Sequence, residues 1–145
     1  MKNNKTIETL ELVLAGSYAL MLKTQNYHWN VVGVNFKPLH ELFGAQYEDL
    51  FAAIDEIAER IRALGSKVDG SFENFSKISK AKKPNNKLAD KAMVVDLIAD
   101  HEALVKLLKN GIKIAQSGED EASADMFIER IQIHEKALWM LSSSI

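Results

Sequence analysis

The chain has 145 residues, 47% of them hydrophobic and 26% charged, with 18 Lys and Arg against 20 Asp and Glu for a formal net charge of -2. That size and apolar content suit one domain with a sizeable core and exclude a disordered chain. The absence of cysteine excludes disulfides, thiolate metal sites and thiol nucleophiles, so any metal must use imidazole and carboxylate; the near-neutral charge gives no general pull toward nucleic acid.

Seven Gly and two Pro leave long stretches free of helix breakers, which makes an all-α fold the first expectation. No apolar run approaches a membrane span, and Met1 to Glu11 carries no leader-like segment, so a soluble, cytoplasmic protein is expected. In chain order, Ile7, Leu10, Leu14 and Met21 keep one face apolar at helical spacing, widened by Val13, Tyr18 and Leu22, and define α1 over about 4–31. Val32, Gly33, Val34 and Asn35 interrupt the pattern. A second helix, α2, starts near Phe36 with Pro38 in its first turn, carries Leu39, Phe43, Tyr47, Leu50, Ile54, Ile57, Ile61 and Leu64, and stops at Gly65. The short connection makes α1 and α2 antiparallel. Residues 65–90 read as a long crossover rich in Gly, Ser and Asn, in which Phe72, Phe75 and Ile78 are spaced for one short helix, α3. Then α4 covers about 89–116 and α5 about 120–141, separated by Ser117 and Gly118. Two helical hairpins joined by a long crossover give a ferritin-like four-helix bundle, with a short helix in the crossover and a single domain over 1–145.

The ordinary di-iron site inside such a bundle needs Glu-x-x-His pairs. None is present: Gln25, Lys37, Ile98 and Ile131 stand three residues before His28, His40, His101 and His134. Another constellation remains. His28 and His40 are equidistant from Val34 at the centre of the turn, so an antiparallel hairpin holds them at one height. Asp55 and Glu59, four apart on α2, share a face and can hold one cation between two carboxylates. His40 and Asp55, however, are separated by about 22 Å of helix. One chain cannot close the site. If two α2 helices pack antiparallel across a two-fold axis, the histidines of each face the carboxylates of the other, giving two equivalent centres per dimer.

Plainer roles compete with these. His101 and His134 read as ordinary core or surface residues. Glu56 with Arg60, and Glu59 with Arg62, could be exposed helix ion pairs. Trp29 could merely anchor the turn by burying its ring.

The segment His28-Trp29-Asn30-Val31-Val32-Gly33, followed by Phe36, Leu39-His40, Phe43, Tyr47, Leu50 and Asp55-Glu56-Ile57-Ala58-Glu59-Arg60-Ile61, resembles the Dps family, the DNA-protection-during-starvation proteins or miniferritins. His134-Glu135-Lys136 and Trp139-Met140-Leu141 extend the resemblance almost to the end of the chain. It implies a homododecamer of tetrahedral symmetry with ferroxidase centres at its two-fold interfaces. His28 of one subunit, with Asp55 and Glu59 of the other, would hold the tighter iron, and His40 the second. Trp29 would be an aromatic beside the site, able to hydrogen-bond there and absorb oxidising equivalents. The implied reaction is oxidation of Fe(II) by hydrogen peroxide or dioxygen, with ferric oxide stored in a hollow shell and DNA thereby protected.

The acidic residues Asp120, Asp125 and Glu129 at the start of α5 would line iron-drawing pores at the three-fold axes, although the helix dipole alone favours acids there. Gly44 departs from the pattern, because the family usually places an acid one turn after the second histidine. The second iron should then bind more weakly, and Gly44→Glu should strengthen it. A DNA-compacting nucleoid protein is the alternative function. Against it, the N-terminal segment offers only Lys2 and Lys5 before Glu8, and the chain ends Ser-Ser-Ser-Ile. The lysines at 77, 80, 82, 83, 87 and 91, around Pro84, are a weaker candidate, so DNA binding is expected to be weak or absent. A metal-free structural bundle would leave the register of His28, His40, Asp55 and Glu59 a coincidence.

Overall fold

In the computed structural model, which describes residues 4–145, the apolar stripe of the first segment folds as α1 (Asn4–Asn30) and buries Ile7, Leu10, Val13, Leu14 and Met21. Leu22, expected to widen that stripe, instead faces outward with 41% of its surface exposed. The remaining helices are α2 (Phe36–Ala63), α3 (Phe72–Ser79), α4 (Asp90–Ser117) and α5 (Glu121–Ser142), with no strand among the described residues. None of these helices is long and apolar enough to cross a membrane.

Boundaries fall within two residues of those read from the sequence. Where α2 ends, Leu64 still bonds to the Arg60 carbonyl, and Gly65 turns out of the helix at φ 95°, a left-handed conformation that a side chain would oppose. The Ser71 hydroxyl caps α3 by accepting the Asn74 N–H.

Each hairpin pairs its own helices, α1 with α2 and α4 with α5, and the hairpins meet along α1 and α4 while α3 lies on α1. Tyr18 stacks on Phe75 at 4.9 Å, fixing α3 there. Two buried clusters fill the interior. One gathers Leu10, Leu14, Ile57, Ile61, Leu108 and Phe127; the other gathers Tyr27, Leu39, Phe43, Leu50, Leu97 and Leu141 near the α1–α2 turn. The side chains of Tyr18, Ile54 and Leu107 touch both.

Polar groups tie the seams. Between α1 and α4, the buried Lys23 ammonium sits 2.9 Å from Asp96 and 2.8 Å from Asp100. The Tyr27 hydroxyl donates to Asp96 at 2.5 Å and accepts the Asn85 N–H, which pins the end of the crossover. On the opposite seam, α2 and α5 are bridged by Arg60 to Asp120 at 2.8 Å and Arg130 to Asp49 at 3.1 Å. Neither Glu56 with Arg60 nor Glu59 with Arg62 forms an ion pair: Arg60 reaches across to α5, and Arg62 donates to the Ser66 carbonyl.

Candidate metal centre

The turn that reverses the chain between α1 and α2 also builds the histidine half of the site. Tyr27 and Val31 are buried on one side of the turn and Leu39 on the other, which holds the two helix ends in register. His28 and His40 then stack nearly parallel, with ring centroids 3.8 Å apart and planes 11° from each other. Each ring bonds to the other's backbone: His28 Nδ1 lies 2.6 Å from the His40 carbonyl, and His40 Nδ1 lies 2.6 Å from the His28 carbonyl. A carbonyl oxygen only accepts, so both Nδ1 atoms carry the proton. Both Nε2 lone pairs are thereby left for a cation, the way second partners orient metal-binding imidazoles. Phe36 stacks on the outer face of His40 at 5.1 Å, and Tyr47 tilts against His28 at 5.3 Å.

Asp55 and Glu59 are exposed and point from α2 with no ion-pair or hydrogen-bond partner among the described residues. At 100° per residue, His40, Gly44, Phe51, Asp55 and Glu59 all fall on one flank of α2. Among the described residues of a single chain, no three His, Asp or Glu side chains converge where a metal could sit. In the single chain the stacked His28 and His40 and the exposed Asp55 and Glu59 therefore stand apart along α2.

Gly44 requires a correction to the expected gain from an acidic side chain there. A Cβ on Gly44 would stand 3.0 Å from His28 Cε1 and 3.1 Å from His28 Nδ1. The glycine is what lets the His28 ring lie against α2, so any side chain at 44 must first displace a ring already fixed by its stack and its hydrogen bond. If His28 holds iron, Gly44→Ala, which adds bulk without charge, should weaken that binding roughly tenfold, the range for disturbed orientation of a ligand. Gly44→Glu should show that loss together with any gain from the new oxygen. Calorimetric titration of both variants separates the two effects, and an unchanged Gly44→Ala isotherm would refute the steric account.

Trp29 is 64% exposed, which overturns the view of it as the turn's buried anchor; Tyr27 and Val31 have that role. Its indole lies in the exposed surface around the turn with Val32, Val34 and Phe36. Asp120 is also not free to line a channel. It caps α5, accepting the Ser123 N–H at 2.9 Å and the Ser123 hydroxyl at 2.6 Å, and it pairs with Arg60. Burial opposes its ionisation, but the Ser123 hydrogen bonds and the Arg60 charge outweigh that and hold its carboxyl below the usual range. Asp125 and Glu129 remain exposed on α5. His101 and His134 are core residues, but they bond to one another at 2.9 Å. Their neighbours Gln46, Asp49 and Arg130 gave no sequence signal, because Asp49 and Arg130 are 81 residues apart and meet only through the fold.

A family model for the ferritin-like domain matches residues 7–145. The DNA protection during starvation protein 2 of Bacillus anthracis is 35% identical over 139 residues, covering 96% of this chain and 95% of its own. A low temperature-induced protein of Nostoc sp. is 38% identical over 141 residues, covering 96% of this chain and 79% of its own. The crystal structure of a Dps protein from Vibrio cholerae, described as a member of a broad superfamily of ferritin-like diiron-carboxylate proteins, superposes with a TM-score of 0.93 at 28% identity, over 98% of this chain and 89% of that one. With the bundle, the crossover helix and near-complete coverage all in agreement, the chain belongs to the Dps family of ferritin-like proteins.

Proposed function

We propose that this protein is a cytoplasmic ferroxidase and iron store, which oxidises Fe(II) with hydrogen peroxide, or more slowly with dioxygen, at centres shared between two copies of the chain. The observation that carries the reading is the reciprocal bonding of His28 and His40, which presents two imidazole Nε2 atoms side by side on the helix face that also bears Asp55 and Glu59. Antiparallel pairing of two α2 helices, with the axis passing near Glu48 and Phe51, sets His28 and His40 of one chain against Asp55 and Glu59 of the other. It also covers Phe51, whose side chain is 68% exposed in the protomer.

Mixed imidazole and carboxylate ligation accepts Fe(II) and stabilises the Fe(III) product through hard oxygen donors. Two Fe(II) give up two electrons to one hydrogen peroxide. With two waters, they yield two FeO(OH) and four protons, and the oxide collects inside a closed shell, which we take to be a homododecamer. Removing iron and peroxide together limits hydroxyl-radical formation near DNA. To Trp29, next to His28 in the chain and 64% exposed, we assign the interception of stray oxidising equivalents. Adding Fe(II) anaerobically and then hydrogen peroxide should consume one peroxide per two irons. Oxidation no faster than in buffer would refute the reading.

Asp125 and Glu129, without Asp120, are assigned to the iron entry path. Neutralising both should slow uptake several-fold at low ionic strength and much less at about 0.15 M salt, because screening shortens the reach of exposed charges. A slowing that ignores salt would count against the assignment.

A DNA-compacting role finds one favourable feature, six exposed lysines at 77, 80, 82, 83, 87 and 91 along the crossover. Lys2 lies outside the described residues. Set against an overall charge of -2, that loop should give no gel retardation at physiological salt and neutral pH. Retention there, lost when the six are changed to Gln, would restore the DNA reading.

A further inference from the structure

Two dipeptides in this chain, Asp69-Gly70 and Asn110-Gly111, have the pattern for a reaction of the backbone on itself, in which a main-chain nitrogen attacks the side-chain carbonyl carbon of the residue before it. Glycine matters because it has no side chain to crowd that nitrogen. The attack closes a five-membered ring, so the side-chain carbon has to lie over the following peptide nitrogen. The fold treats the two pairs oppositely.

Asn110 and Gly111 lie inside α4. Helical backbone, with ψ of about −42°, turns the nitrogen away from the side chain and engages the Gly111 N–H along the helix. Gly111 is also buried, and a Cβ on it would stand 3.0 Å from the side chains of Phe127 and Thr9, so α4 cannot unwind there without breaking its packing on α5 and α1. Asp69 and Gly70, by contrast, are both exposed in the irregular stretch between α2 and α3. The Gly70 N–H has no hydrogen-bond partner among the described residues, and nothing stands within 4 Å of the place a Cβ would take. The Ser71 N–H donates to Asp69 Oδ1 at 3.1 Å, which folds the carboxyl back over the Gly70 peptide.

We propose that Asp69 is a site of spontaneous isomerisation to isoaspartate, and that α4 protects Asn110 from the corresponding loss of its amide. When the Asp69 carboxyl is in its acid form, the Ser71 N–H makes Oδ1 the carbonyl oxygen and stabilises the charge that grows there under attack. A bond forms between the Gly70 nitrogen and Asp69 Cγ. The Cγ–Oδ2 bond breaks, and Oδ2 leaves as water, with its own proton and the one from the Gly70 N–H. Water then opens the cyclic imide. Addition at Cγ restores aspartate, whereas addition at the main-chain carbonyl carbon leaves the chain running through Cγ, one methylene longer. No oxidant or reductant enters. The product displaces both oxygens that hold the start of α3: Oδ1, which accepts from Ser71, and the Asp69 carbonyl, which accepts from the Asn74 side-chain amide at 3.0 Å. The change therefore loosens the crossover and leaves α1 and α2, with His28, His40, Asp55 and Glu59, as they were.

The test keeps the assembled protein for several weeks in mildly acidic heavy-oxygen water, digests it in ordinary water, and maps the peptides by fragmentation that distinguishes isoaspartate from aspartate. Asp69 should take up heavy oxygen and accumulate the isomer while Asn110 stays an amide. In denaturant the order should reverse, because the unfolded Asn-Gly pair loses its helix and an amide reacts without first gaining a proton. Gly70→Val, at an exposed position with open space around it, crowds the attacking nitrogen and should slow labelling of Asp69 about tenfold or more. No label at Asp69, conversion of Asn110 ahead of it in the folded protein, the same order in denaturant, or an unchanged rate in Gly70→Val would each overturn the proposal.

Discussion

Mixing chains that lack both histidines (His28→Ala with His40→Ala) with chains that lack both carboxylates (Asp55→Ala with Glu59→Ala) should restore about a quarter of the wild-type oxidation rate, although each parent alone is nearly inactive. In a mixed dimer, one centre takes its histidines from the second chain and its carboxylates from the first and is whole, while the other has neither. Random pairing makes about half of the dimers mixed, and half of their centres work. Each parent should be slowed on the order of 100-fold or more, since even partners that only orient a ligand cost 10- to 100-fold in affinity or activity. The carboxylate parent should still assemble, because Asp55 and Glu59 are exposed and have no ion-pair or hydrogen-bond partner among the described residues. Stopped-flow oxidation on co-refolded mixtures, with assembly checked by size-exclusion mass, gives the answer. No recovery on mixing would mean that the centres are not shared, and a carboxylate variant at the wild-type rate would remove Asp55 and Glu59 from the reaction.

The largest expected effect on stability comes from Lys23→Met. Only 3% of the Lys23 side chain is exposed, and the variant would leave Asp96 and Asp100 side by side without their cation. Removing one partner of a buried ion pair costs about 3 to 5 kcal/mol, and the lower end applies here because both carboxylates keep part of their hydration. The deficit should depend on pH in a definite sense. Burial already raises the Asp100 carboxyl in the wild type, opposed by Lys23, so loss of Lys23 raises it further. Protonation of Asp100 then relieves the variant, and its deficit shrinks as pH falls through that raised value. Lys23 itself is raised above its usual range, since its bonds to both carboxylates outweigh the larger single effect of burial. Its charge is therefore fully present at neutral pH, and on the alkaline side its contribution is lost only as pH rises through that raised value. Denaturant unfolding of both proteins at neutral pH and near pH 5 would measure this, and an equal or larger deficit at the lower pH would refute the assignment.

The sequence disclosed those parts of the molecule that depend on local pattern. Helix-breaking residues and apolar spacing locate all five helices, and the symmetry of His28 and His40 about Val34 anticipates their stacking. The parts that stayed hidden depend on partners distant in sequence. Arg60 could have paired with Glu56 on its own helix, and nothing local reveals that it reaches Asp120, 60 residues away. The same pairing removes Asp120 from the acidic surface that its place at the start of α5 and the family resemblance had suggested. Leu22 and Trp29 look like core residues by type, yet both face outward in the protomer. Gly44 read as a missing ligand, whereas its lack of a Cβ is what admits the His28 ring.

Trp29, Val32, Val34, Phe51, Phe72 and Trp139 all stand largely in water in the single chain, and the proposed assembly would cover those that lie at its interfaces. Covering them in the proposed assembly would link folding to mass action, so that the protein's resistance to heat and proteolysis should rise with its own concentration. A newly synthesised chain is then most vulnerable while copies are few, and slow trickling synthesis would lose more of it to aggregation and degradation than a brief burst delivering the same total. On the proposed assembly, the exposed faces would impose a threshold on expression, below which chains accumulate without yielding durable protein.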